Sequence, residues 1–578
     1  MNLTPIIKTR TVGAGEDNLP ADLHPVVRRV LLSRGIHNAE DIELGLSKLH
    51  SPAGLLGLKS AASIVGDAIR SDSRILIVGD FDADGATGTA LAVRGLAAMG
   101  AKYVDFKVPN RFEFGYGLTE ALVGTLESDP PDVLVTVDSG ISCLAGVARA
   151  RSLGCKVVVT DHHLPGEQLP DADAIVNPNV PGDAFPSKAL AGVGVMFYLL
   201  SAVRSNLRSH GWFESGRQEP NLARFLDLVA LGTVADLVPL DHNNRILVSQ
   251  GMARIRSGQA SPGLMALLKL GKRDYRHLVA SDLGFAVAPR LNAAGRLEDM
   301  SVGIRCLISD DPLETADLAG ELDELNRSRR SMQQQMQDEA SDKLDQVLGQ
   351  LEGKPLPFSL CLHDSSWHQG IVGLVASRIK DRIHRPVIVF APEHEGSPLL
   401  KGSARSVPGL HIRDVLAHVV SSHPDMVIAF GGHAMAAGLS LPADKLADFS
   451  AALEHSVDMF LGGVAPSAEI MTDGELSGID INLELALQLR DMGPWGQHFP
   501  EPLFEGVFEV ISHRVVGGAH MKMVLRPLDG QKPVDAIAFG KLPDQLPASG
   551  SVRLLYKLDV NYFRGECICQ LMVERILN

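Results

Sequence analysis

The chain has 578 residues, too many for one hydrophobic core, so we expect two to four domains. Its hydrophobic content of 45% and charged content of 21% are ordinary for a globular protein. The formal net charge of −15 argues against a protein that is held to nucleic acid by charge alone, although it permits a local basic groove or metal ions that neutralise carboxylates.

The first predicted elements, over about residues 74 to 180, alternate between strands and helices. Five apolar runs rich in β-forming residues are separated by Ala/Leu-rich segments that end in glycine, as helices do. Continuous apolar strands joined by helices indicate a parallel sheet covered on both faces. The strands are predicted at "RILIVGD", "KYVDFKVP", "DVLVTVD", "KVVVTD" and "AIVNP".

Three further regions follow along the chain. Residues 190–300 have a mainly helical pattern, and residues 313–350 predict a long polar helix that connects two domains. A second alternation of strands and helices begins at "FSLCLHD". After "VAPSAEI", short strands broken by Gly and Pro predict a small β-barrel or sandwich.

The sequence also predicts a cellular compartment. The first residues lack the charged and long apolar segments of a secretory signal, and no apolar run approaches the roughly 18 residues that cross a membrane. The six cysteines are scattered, without metal-binding spacing. We therefore expect a cytoplasmic protein with no membrane association.

Acidic residues and histidines follow three of the predicted strands, at the point where each strand ends. The carboxyl ends of neighbouring parallel strands lie within about 5–10 Å of each other. So many carboxylates cannot all stay ionised there unless cations bind them. The residues are Asp80, Asp82 and Asp84 after one strand, Asp138 after another, Asp161, His162 and His163 after a third, and Asp236 within the apolar run "LVALGTVADLVPL".

Each of these motifs also has a purely structural explanation. An Asp after a strand is often the N-cap of the next helix, "DADG" alone is compatible with a tight turn, and "DHH" with a cap and two surface histidines. Such explanations must account for every cluster at one sheet edge, and for a carboxylate in the apolar surroundings of Asp236. We therefore favour a site for Mn²⁺ or Mg²⁺, in which two ions about 3.5–4 Å apart would suit phosphoester hydrolysis.

At these residues a known family becomes recognisable. "GDFDADG", "VDSG" and "TDHH" resemble the signature motifs of the DHH phosphoesterase superfamily. Further stretches narrow the resemblance to the RecJ family of single-strand-specific 5′→3′ DNA exonucleases, over almost the whole chain from about residue 50. These stretches are "NRFEFGYGL", "GTVADLVPL", "PRLNAAGRL", "GSARS" and "GGHAMAAGL".

The resemblance implies an α/β fold built from several domains. A parallel-sheet DHH domain is followed by a long connecting helix, a smaller α/β DHH-associated domain of the DHHA1 type, and an OB-like β-barrel that binds single strands. The expected boundaries are 1–50 for an N-terminal segment, 51–312 for the DHH domain, 313–352 for the helix, 353–463 for the DHHA1-type domain and 464–578 for the barrel.

The implied activity is metal-dependent hydrolysis of phosphodiester bonds in single-stranded DNA, in the 5′→3′ direction, by a two-metal mechanism in DNA recombination and repair. Mn²⁺ or Mg²⁺ is the implied cofactor, and single-strand-binding protein and a RecQ-type helicase are the implied partners of a monomer. Two other functions stay open. A small-substrate DHH phosphatase would not need the barrel, and an inactive DHH scaffold would have lost metal ligands.

The resemblance assigns roles to the residues of the first site. Many DHH proteins carry a His where this chain has Val78, so one metal is expected to be held differently. His163 resembles the histidine that faces the scissile phosphate, and with Asp161 it is expected to be catalytic. The expected metal ligands are Asp80, Asp82, Asp84, Asp138, His162 and Asp236.

A second group of residues is expected to bind nucleic acid. An arginine suits a phosphate and an aromatic ring suits a base, although a surface loop with a packed Tyr would also explain "NRFEFGYGL". Glycines let backbone N–H groups approach a phosphate, and by resemblance "GSARS" would grip the 5′ phosphate. The residues are Arg111, Tyr116, Arg290, Arg296, Ser403, Arg405, Gly432 and His433. The tail adds basic and aromatic residues that fit a strand-binding barrel but are also common in β-domains, namely Arg514, Lys522, Arg526, Lys557, Tyr562 and Arg564.

Overall fold

The computed structural model describes the chain except for residues 1–4, 14, 112, 215, 351–355, 531, 542, 544–545, 547–549, 564 and 578. The chain divides into two compact units. One unit joins Met1–Lys8 with Glu324–Ile470, and the other joins Thr9–Asp323 with Met471–Asn578. Among the described residues, no helix is long and apolar enough to cross a membrane.

The N-terminal part of the second unit is built on a parallel sheet of five strands, as the apolar runs predict. All five residues of the strand "VLVTV" are buried, because helices cover both faces of the sheet. The strands and helices up to this sheet are β1 (Ile6–Thr9), α1 (Pro25–Leu32), α2 (Leu58–Arg70), β2 (Arg74–Val78), α3 (Ala83–Ala98), β3 (Tyr103–Lys107), α4 (Glu120–Gly124), β4 (Val133–Val137), α5 (Leu144–Ser152), β5 (Lys156–Thr160) and β6 (Ala174–Val176).

The order of strands in this sheet is β3-β2-β4-β5-β6. From β2 the chain crosses to β3 on one side, and it then returns to β4 on the other side of β2. The sheet therefore has its topological switch point between β2 and β4, where open α/β sheets bind their ligands beyond the carboxyl ends of the strands. Asp80, Asp82 and Asp84 follow β2 in the chain, and Asp138 follows β4, so these residues lie at the switch point.

The region after the sheet is helical, as predicted. Leu283–Val287 is a π-helical turn between two α-helices. The α-helices are α6 (Gly192–Ser209), α7 (Leu226–Ala235), α8 (His242–Arg256), α9 (Pro262–Leu270), α10 (Ala280–Asp282), α11 (Ala288–Leu297) and α12 (Ser301–Ile308). Short 3-10 turns occupy Ala39–Ile42, Leu46–Lys48, Pro52–Gly54, Leu222–Phe225, Tyr275–His277 and Ala443–Lys445.

The predicted long helix is α13, Pro312–Gln350, and it runs from one unit into the other. In the first unit a five-stranded sheet of order β10-β11-β9-β8-β7 packs its apolar face on helices around Phe390, Phe449 and Leu439. The elements are β7 (Leu360–His363), α14 (Val372–Ile383), β8 (Val387–Pro392), β9 (Leu399–Arg405), α15 (Ile412–Ser422), β10 (Ala429–Gly432), β11 (Ala436–Pro442), α16 (Leu446–Phe460) and β12 (Glu469–Thr472). A two-stranded sheet pairs β1 with β12.

The C-terminal strands close into a barrel of order β13-β14-β15-β17-β16, which confirms the predicted OB-like domain. Within the described part of the barrel, β15 pairs with β17 in parallel, and the other strand pairs are antiparallel. The elements are α17 (Leu483–Asp491), β13 (Phe504–Val516), β14 (His520–Pro527), β15 (Val534–Ala538), β16 (Ser551–Phe563) and β17 (Glu566–Leu577).

A stack of rings and guanidinium groups attaches the segment before the barrel to the N-terminal part of the same unit. Trp495 and Phe499 stack with ring centroids 4.9 Å apart. The Arg245 guanidinium of α8 lies 4.1 Å from the Phe499 ring, and that of Arg34 lies 5.4 Å from the Trp495 ring. Arg34 also forms a buried ion pair with Asp473 at 2.7 Å. Cation–π contacts between desolvated groups are worth about 2 kcal/mol each, so this stack holds the barrel in place.

Candidate active site

The carboxyl ends of the parallel strands bring the predicted acidic residues together. Ligand atoms of Asp80, Asp82 and Asp138 lie within 4.8 Å of one another. The same is true of Asp84, His162 and Asp236, and of Asp138, His162 and His163. His162 Nε2 lies 3.0 Å from Asp138 Oδ1 and 3.4 Å from Asp236 Oδ2, so the groups share side chains and form one continuous cluster.

Several oxygens in this cluster are buried and accept no hydrogen bond. They are Asp80 Oδ1, Asp138 Oδ1 and Asp236 Oδ2. Burial and the neighbouring carboxylates raise the pKa of all three groups well above the ordinary range. Burial, with the charge of Asp82, also raises the pKa of Asp84 to about 7. Buried carboxylates without hydrogen bonds fit divalent cations, since a cation removes both the repulsion and the desolvation cost.

Asp82 shows that the capping explanation and the metal explanation are compatible. Its Oδ1 accepts the backbone N–H groups of Asp84 at 2.9 Å and Gly85 at 3.0 Å, and so caps α3. Asp84 in turn accepts the N–H groups of Gly192 and Val193 at the start of α6. These bonds orient each carboxylate toward the cluster while the helix N-termini favour negative charge.

Asp161 and His163 form a pair beside the cluster. Asp161 Oδ1 lies 2.7 Å from His163 Nδ1 and also accepts the backbone N–H groups of His162 and His163. Although burial opposes its ionisation, the bonds from His163 hold the pKa of Asp161 below its ordinary value. Burial lowers the pKa of His163, but Asp161 outweighs it and the net shift is upward. Asp161 therefore orients His163 and favours its protonated form.

Arg111 and Tyr116 lie around Phe81, within the first aspartate motif. The Arg111 guanidinium is 4.1 Å from the Phe81 ring centroid, and the Tyr116 ring meets Phe81 edge-on at 5.9 Å. The Tyr116 hydroxyl donates to the backbone carbonyl of Asp138 at 3.3 Å. Burial and the charge of Arg296 lower the pKa of Arg111 to about 10. Two guanidinium groups beside the acidic cluster are suited to a phosphate bound there.

The helix α11 contributes residues that the sequence analysis missed. Asn292 Oδ1 accepts the backbone N–H of Ala83 at 2.8 Å, which holds the turn after Asp82. Gly295 packs against the Phe81 carbonyl so closely that a Cβ there would overlap it. Similarly, a Cβ on Gly192 would lie 2.5 Å from the Asp138 side chain. Their signal in the sequence is a set of small residues inside helical segments, which alone does not identify a partner.

Arg290, predicted to bind nucleic acid, is committed to a structural contact. It is buried, its Nη2 lies 2.8 Å from Asp323, and its Nη1 donates to the Ala286 carbonyl. The reason is that Asp323, from the first turns of α13, is buried beside it. Arg290 therefore ties α11 to α13, and its expected role in binding nucleic acid stays a prediction.

The remaining predicted residues lie in the first unit. Ser403 and Arg405 are on strand β9. Arg405 Nη1 donates to Ser403 Oγ at 2.9 Å, and a Cβ on Gly373 would lie 2.7 Å from Arg405 Nη2. Gly432 has a φ of 148° and would overlap Ala436 if it carried a Cβ. A guanidinium beside a hydroxyl and the backbone of a glycine is an arrangement suited to binding a phosphate.

Ion pairs engage several basic residues of the tail. Lys522 pairs with Asp535, Arg526 with Glu509, and Lys557 with both Glu501 and Glu574. Tyr562 stacks on His277 at 3.7 Å. Arg514 lies on β13, and Arg564 lies outside the described residues. The charge available for phosphates on these strands is therefore smaller than the sequence predicted.

Three family models match the chain. They are "DHH family, N-terminal domain" over residues 74–233, "DHHA1 domain" over 356–458 and "RecJ OB domain" over 472–575. Each matches a part of the chain where the corresponding fold is observed.

Whole-chain comparisons give the same result. The chain is 50% identical over 564 residues to the single-stranded-DNA-specific exonuclease RecJ of Salmonella typhimurium, covering 96% of each protein. It is 50% identical over 562 residues to that of Escherichia coli, covering 97% of each. A crystal structure of RecJ with Mn²⁺ from Thermus thermophilus matches with a TM-score of 0.77 and 31% identity, over 96% of this chain and 76% of the other. Together with the acidic cluster at the switch point, these matches show that the chain belongs to the RecJ family.

Proposed function

We propose that the protein is a metal-dependent exonuclease that hydrolyses phosphodiester bonds of single-stranded DNA in the 5′→3′ direction. The observation that carries this proposal is the complete cluster of carboxylates and His162 at the switch point, in a chain whose relatives are single-stranded-DNA-specific exonucleases. An inactive scaffold would not retain every carboxylate of the motifs, and a small-substrate phosphatase would not need the barrel.

The donor set fits Mn²⁺ or Mg²⁺, and two ions would be held by Asp80, Asp82, Asp84, Asp138, His162 and Asp236. Related RecJ structures contain Mn²⁺ and Mg²⁺. Such ions lower the pKa of bound water and stabilise the charge that develops on the leaving oxygen. Val78 is fully buried at the end of β2, so the ligand that a histidine would supply at this position is absent here.

The protein side chains would supply positioning and proton handling. His163, oriented by Asp161, would donate a hydrogen bond to the scissile phosphate. Arg111 and Arg296 would hold phosphate oxygens, and the Tyr116 ring would pack against the nucleotide. Ser403, Arg405, Gly432 and His433 are proposed to bind the terminal 5′ phosphate, which would set the polarity.

The test is digestion of long DNA labelled at either end, as single strand and as duplex, with Mn²⁺, Mg²⁺ or a chelator. We expect metal-dependent loss of single strands, with mononucleotides released first from 5′-labelled ends. Release from the 3′ end would overturn the polarity. Cleavage of short substrates alone would favour a small-substrate phosphatase, and no cleavage with either metal would favour a scaffold.

The partners and the cellular compartment are also part of this proposal. Single-strand-binding protein and a RecQ-type helicase are proposed as partners of a monomer, because an exonuclease for single strands needs unwound ends. A cytoplasmic location is supported by the six cysteines, all of which are free thiols in the structure.

A further inference from the structure

The two histidines that follow β5 lie just beyond the paired strands of the parallel sheet. At this end of the sheet, the backbone N–H of Asp161 donates to the Val176 carbonyl at 3.1 Å. Beyond that contact, side chains hold the backbone. Asp161 Oδ1 accepts the backbone N–H groups of His162 at 2.7 Å and His163 at 3.1 Å. The carbonyls of the same two histidines are also bound by side chains, which come from the segment after β6.

Two asparagines donate to these carbonyls. Asn177 Nδ2 lies 2.9 Å from the carbonyl oxygen of His163. Asn179 Nδ2 lies 2.6 Å from the carbonyl oxygen of His162. The other partners of the amides fix their orientation, because Asn177 Oδ1 accepts the backbone N–H of Asn179, and Asn179 Nδ2 also faces the Lys188 carbonyl at 3.2 Å. Each amide therefore presents its nitrogen, the donor, to a histidine carbonyl.

The loop that carries the asparagines is held by further contacts. Asn177 is fully buried, and its bond to the N–H of Asn179 forms an Asx turn that fixes the backbone between them. Lys188 Nζ donates to the Pro178 carbonyl at 2.7 Å and forms an ion pair with Asp183 at 2.9 Å. A loop held in this way can impose its position on the histidines.

The two histidines depend on this backbone for different tasks. His162 Nε2 lies 3.0 Å from Asp138 Oδ1 within the acidic cluster, and His162 is one of the proposed metal ligands. His163 is proposed to face the scissile phosphate. A peptide group that turns carries the ring attached to it along, and the groups of an active site must be held within about 0.5 Å of their productive positions.

We propose that Asn177 and Asn179 are positioning residues of the active site, with separate effects. Asn179 holds His162 in place for the metal ions, and Asn177 holds His163 in place for the phosphate. The inference rests on the proposed exonuclease activity and deepens it, because it identifies two residues that act on the reaction through the histidines.

The first experiment titrates Mn²⁺ into the metal-free, full-length protein by calorimetry. Asn179→Ala should raise the Mn²⁺ concentration for half saturation by about tenfold, as the loss of a contact behind a metal ligand predicts. The rise in unfolding temperature on addition of Mn²⁺ should be smaller than in the wild type, and kcat should return to near the wild-type value at saturating Mn²⁺. Asn179→Ser replaces the alanine variant if that variant does not fold. An unchanged Mn²⁺ titration would overturn the proposal.

The second experiment measures kcat at saturating Mn²⁺. Asn177→Ser keeps the turn, because a serine hydroxyl can accept the N–H of Asn179, but the shorter side chain does not reach the His163 carbonyl. We expect kcat to fall about tenfold, while KM and the Mn²⁺ titration stay close to those of the wild type. An unchanged kcat, or a loss of activity that higher Mn²⁺ restores, would overturn the assignment of Asn177 to His163.

The matched control is Asn482→Ala, at the start of α17. Asn482 Nδ2 also donates to a backbone carbonyl, that of Ile479 at 2.9 Å, and Asn482 Oδ1 accepts the N–H of Leu485. This variant should lower the unfolding temperature and leave the Mn²⁺ titration and kcat unchanged. A wild type that binds Mn²⁺ without degrading single strands would remove the proposed function, whereas the Mn²⁺ titration of Asn179→Ala would still test how His162 is held.

Discussion

Asp161 Oδ1 lies 2.7 Å from His163 Nδ1, and the same oxygen accepts the backbone N–H groups of both histidines of the motif. The other carboxylate oxygen accepts the N–H of Ile141 at 2.9 Å. With both oxygens used in this way, Asp161 acts on the reaction through His163. The position of Asp161 at the end of a strand is shared with the aspartates of the cluster, and only the family resemblance gave it a separate role beside His163.

This pairing predicts a change in pH dependence. Burial lowers the pKa of His163, and the bond and charge of Asp161 raise it further than burial lowers it. If protonated His163 is required, kcat falls as the pH rises through this pKa. Asp161→Asn removes the charge, so the alkaline limb of kcat should move to lower pH and the maximal kcat should fall by about 10–100-fold. The measurement is kcat against pH at saturating Mn²⁺.

A suitable control for that variant is Asp173→Asn, since Asp173 accepts the backbone N–H of Val157 at the opposite end of β5. It should leave the pH profile in place. An alkaline limb at the same pH in Asp161→Asn and wild type would mean that His163 does not titrate in this step.

The acidic cluster predicts how stability depends on pH without metal. Burial and like charges raise the pKa of Asp138 and its neighbours in the folded protein. The protonated carboxyl groups therefore stabilise the fold fully below pH about 3.8, the ordinary pKa of an aspartate, and this contribution to the free energy of unfolding is lost as the pH rises through the pKa values of the folded protein. For Asp84 that value is about 7. In a chelator at pH 8, Asp138→Asn should therefore unfold at a higher temperature than the wild type, and the difference should shrink at pH 5.

Metal ions should reverse this order. Saturating Mn²⁺ should raise the unfolding temperature of the wild type more than that of Asp138→Asn, because the variant has lost a ligand. The variant should also lose nearly all hydrolysis. Thermal unfolding with and without Mn²⁺ measures both effects, and an equal rise in the two proteins would exclude Asp138 as a ligand.

The proposed 5′-phosphate site predicts a change in substrate preference. An arginine fork binds a terminal phosphate dianion better than a hydroxyl end, through charge-assisted hydrogen bonds. Arg405→Ala should lower the ratio of kcat/KM for 5′-phosphorylated strands to kcat/KM for 5′-hydroxyl strands. Arg405→Lys should retain only part of the preference of the wild type for the phosphorylated strands. The exposed Arg413, replaced by Ala, serves as the control at one fixed salt concentration. A ratio that stays constant in Arg405→Ala would place end recognition elsewhere.

The stack at the base of the barrel predicts coupling between barrel and catalytic domain. Phe499 is buried, and Phe499→Ala should cost about 3–5 kcal/mol of unfolding free energy and leave Arg245 without its ring. Phe499→Leu should cost less. KM should rise for long strands and change little for very short ones. Thermal unfolding and kinetics on the two substrate lengths test this, and an equal loss on both would indicate only a general loss of stability.

The residues of the acidic cluster could be predicted from the sequence because their placement follows from local pattern and topology. Asp80, Asp138 and His162 each lie within two residues of the end of an apolar strand, and the carboxyl ends of parallel strands lie at one edge of the sheet. The parallel sheet, the long helix and the barrel were predicted for the same reason, since hydrophobic periodicity and breaks at Gly and Pro are local properties.

Only the tertiary structure decided which side chain serves which partner. Asn292 holds the backbone of Ala83 across 209 residues of sequence, and Arg290 pairs with Asp323. Asp161 orients His163, and the π-turn Leu283–Val287 leaves the Phe285 side chain exposed to solvent. These assignments depend on distances between segments far apart in the chain, and such distances are set by the packing of helices against the sheet, which periodicity along one segment does not encode.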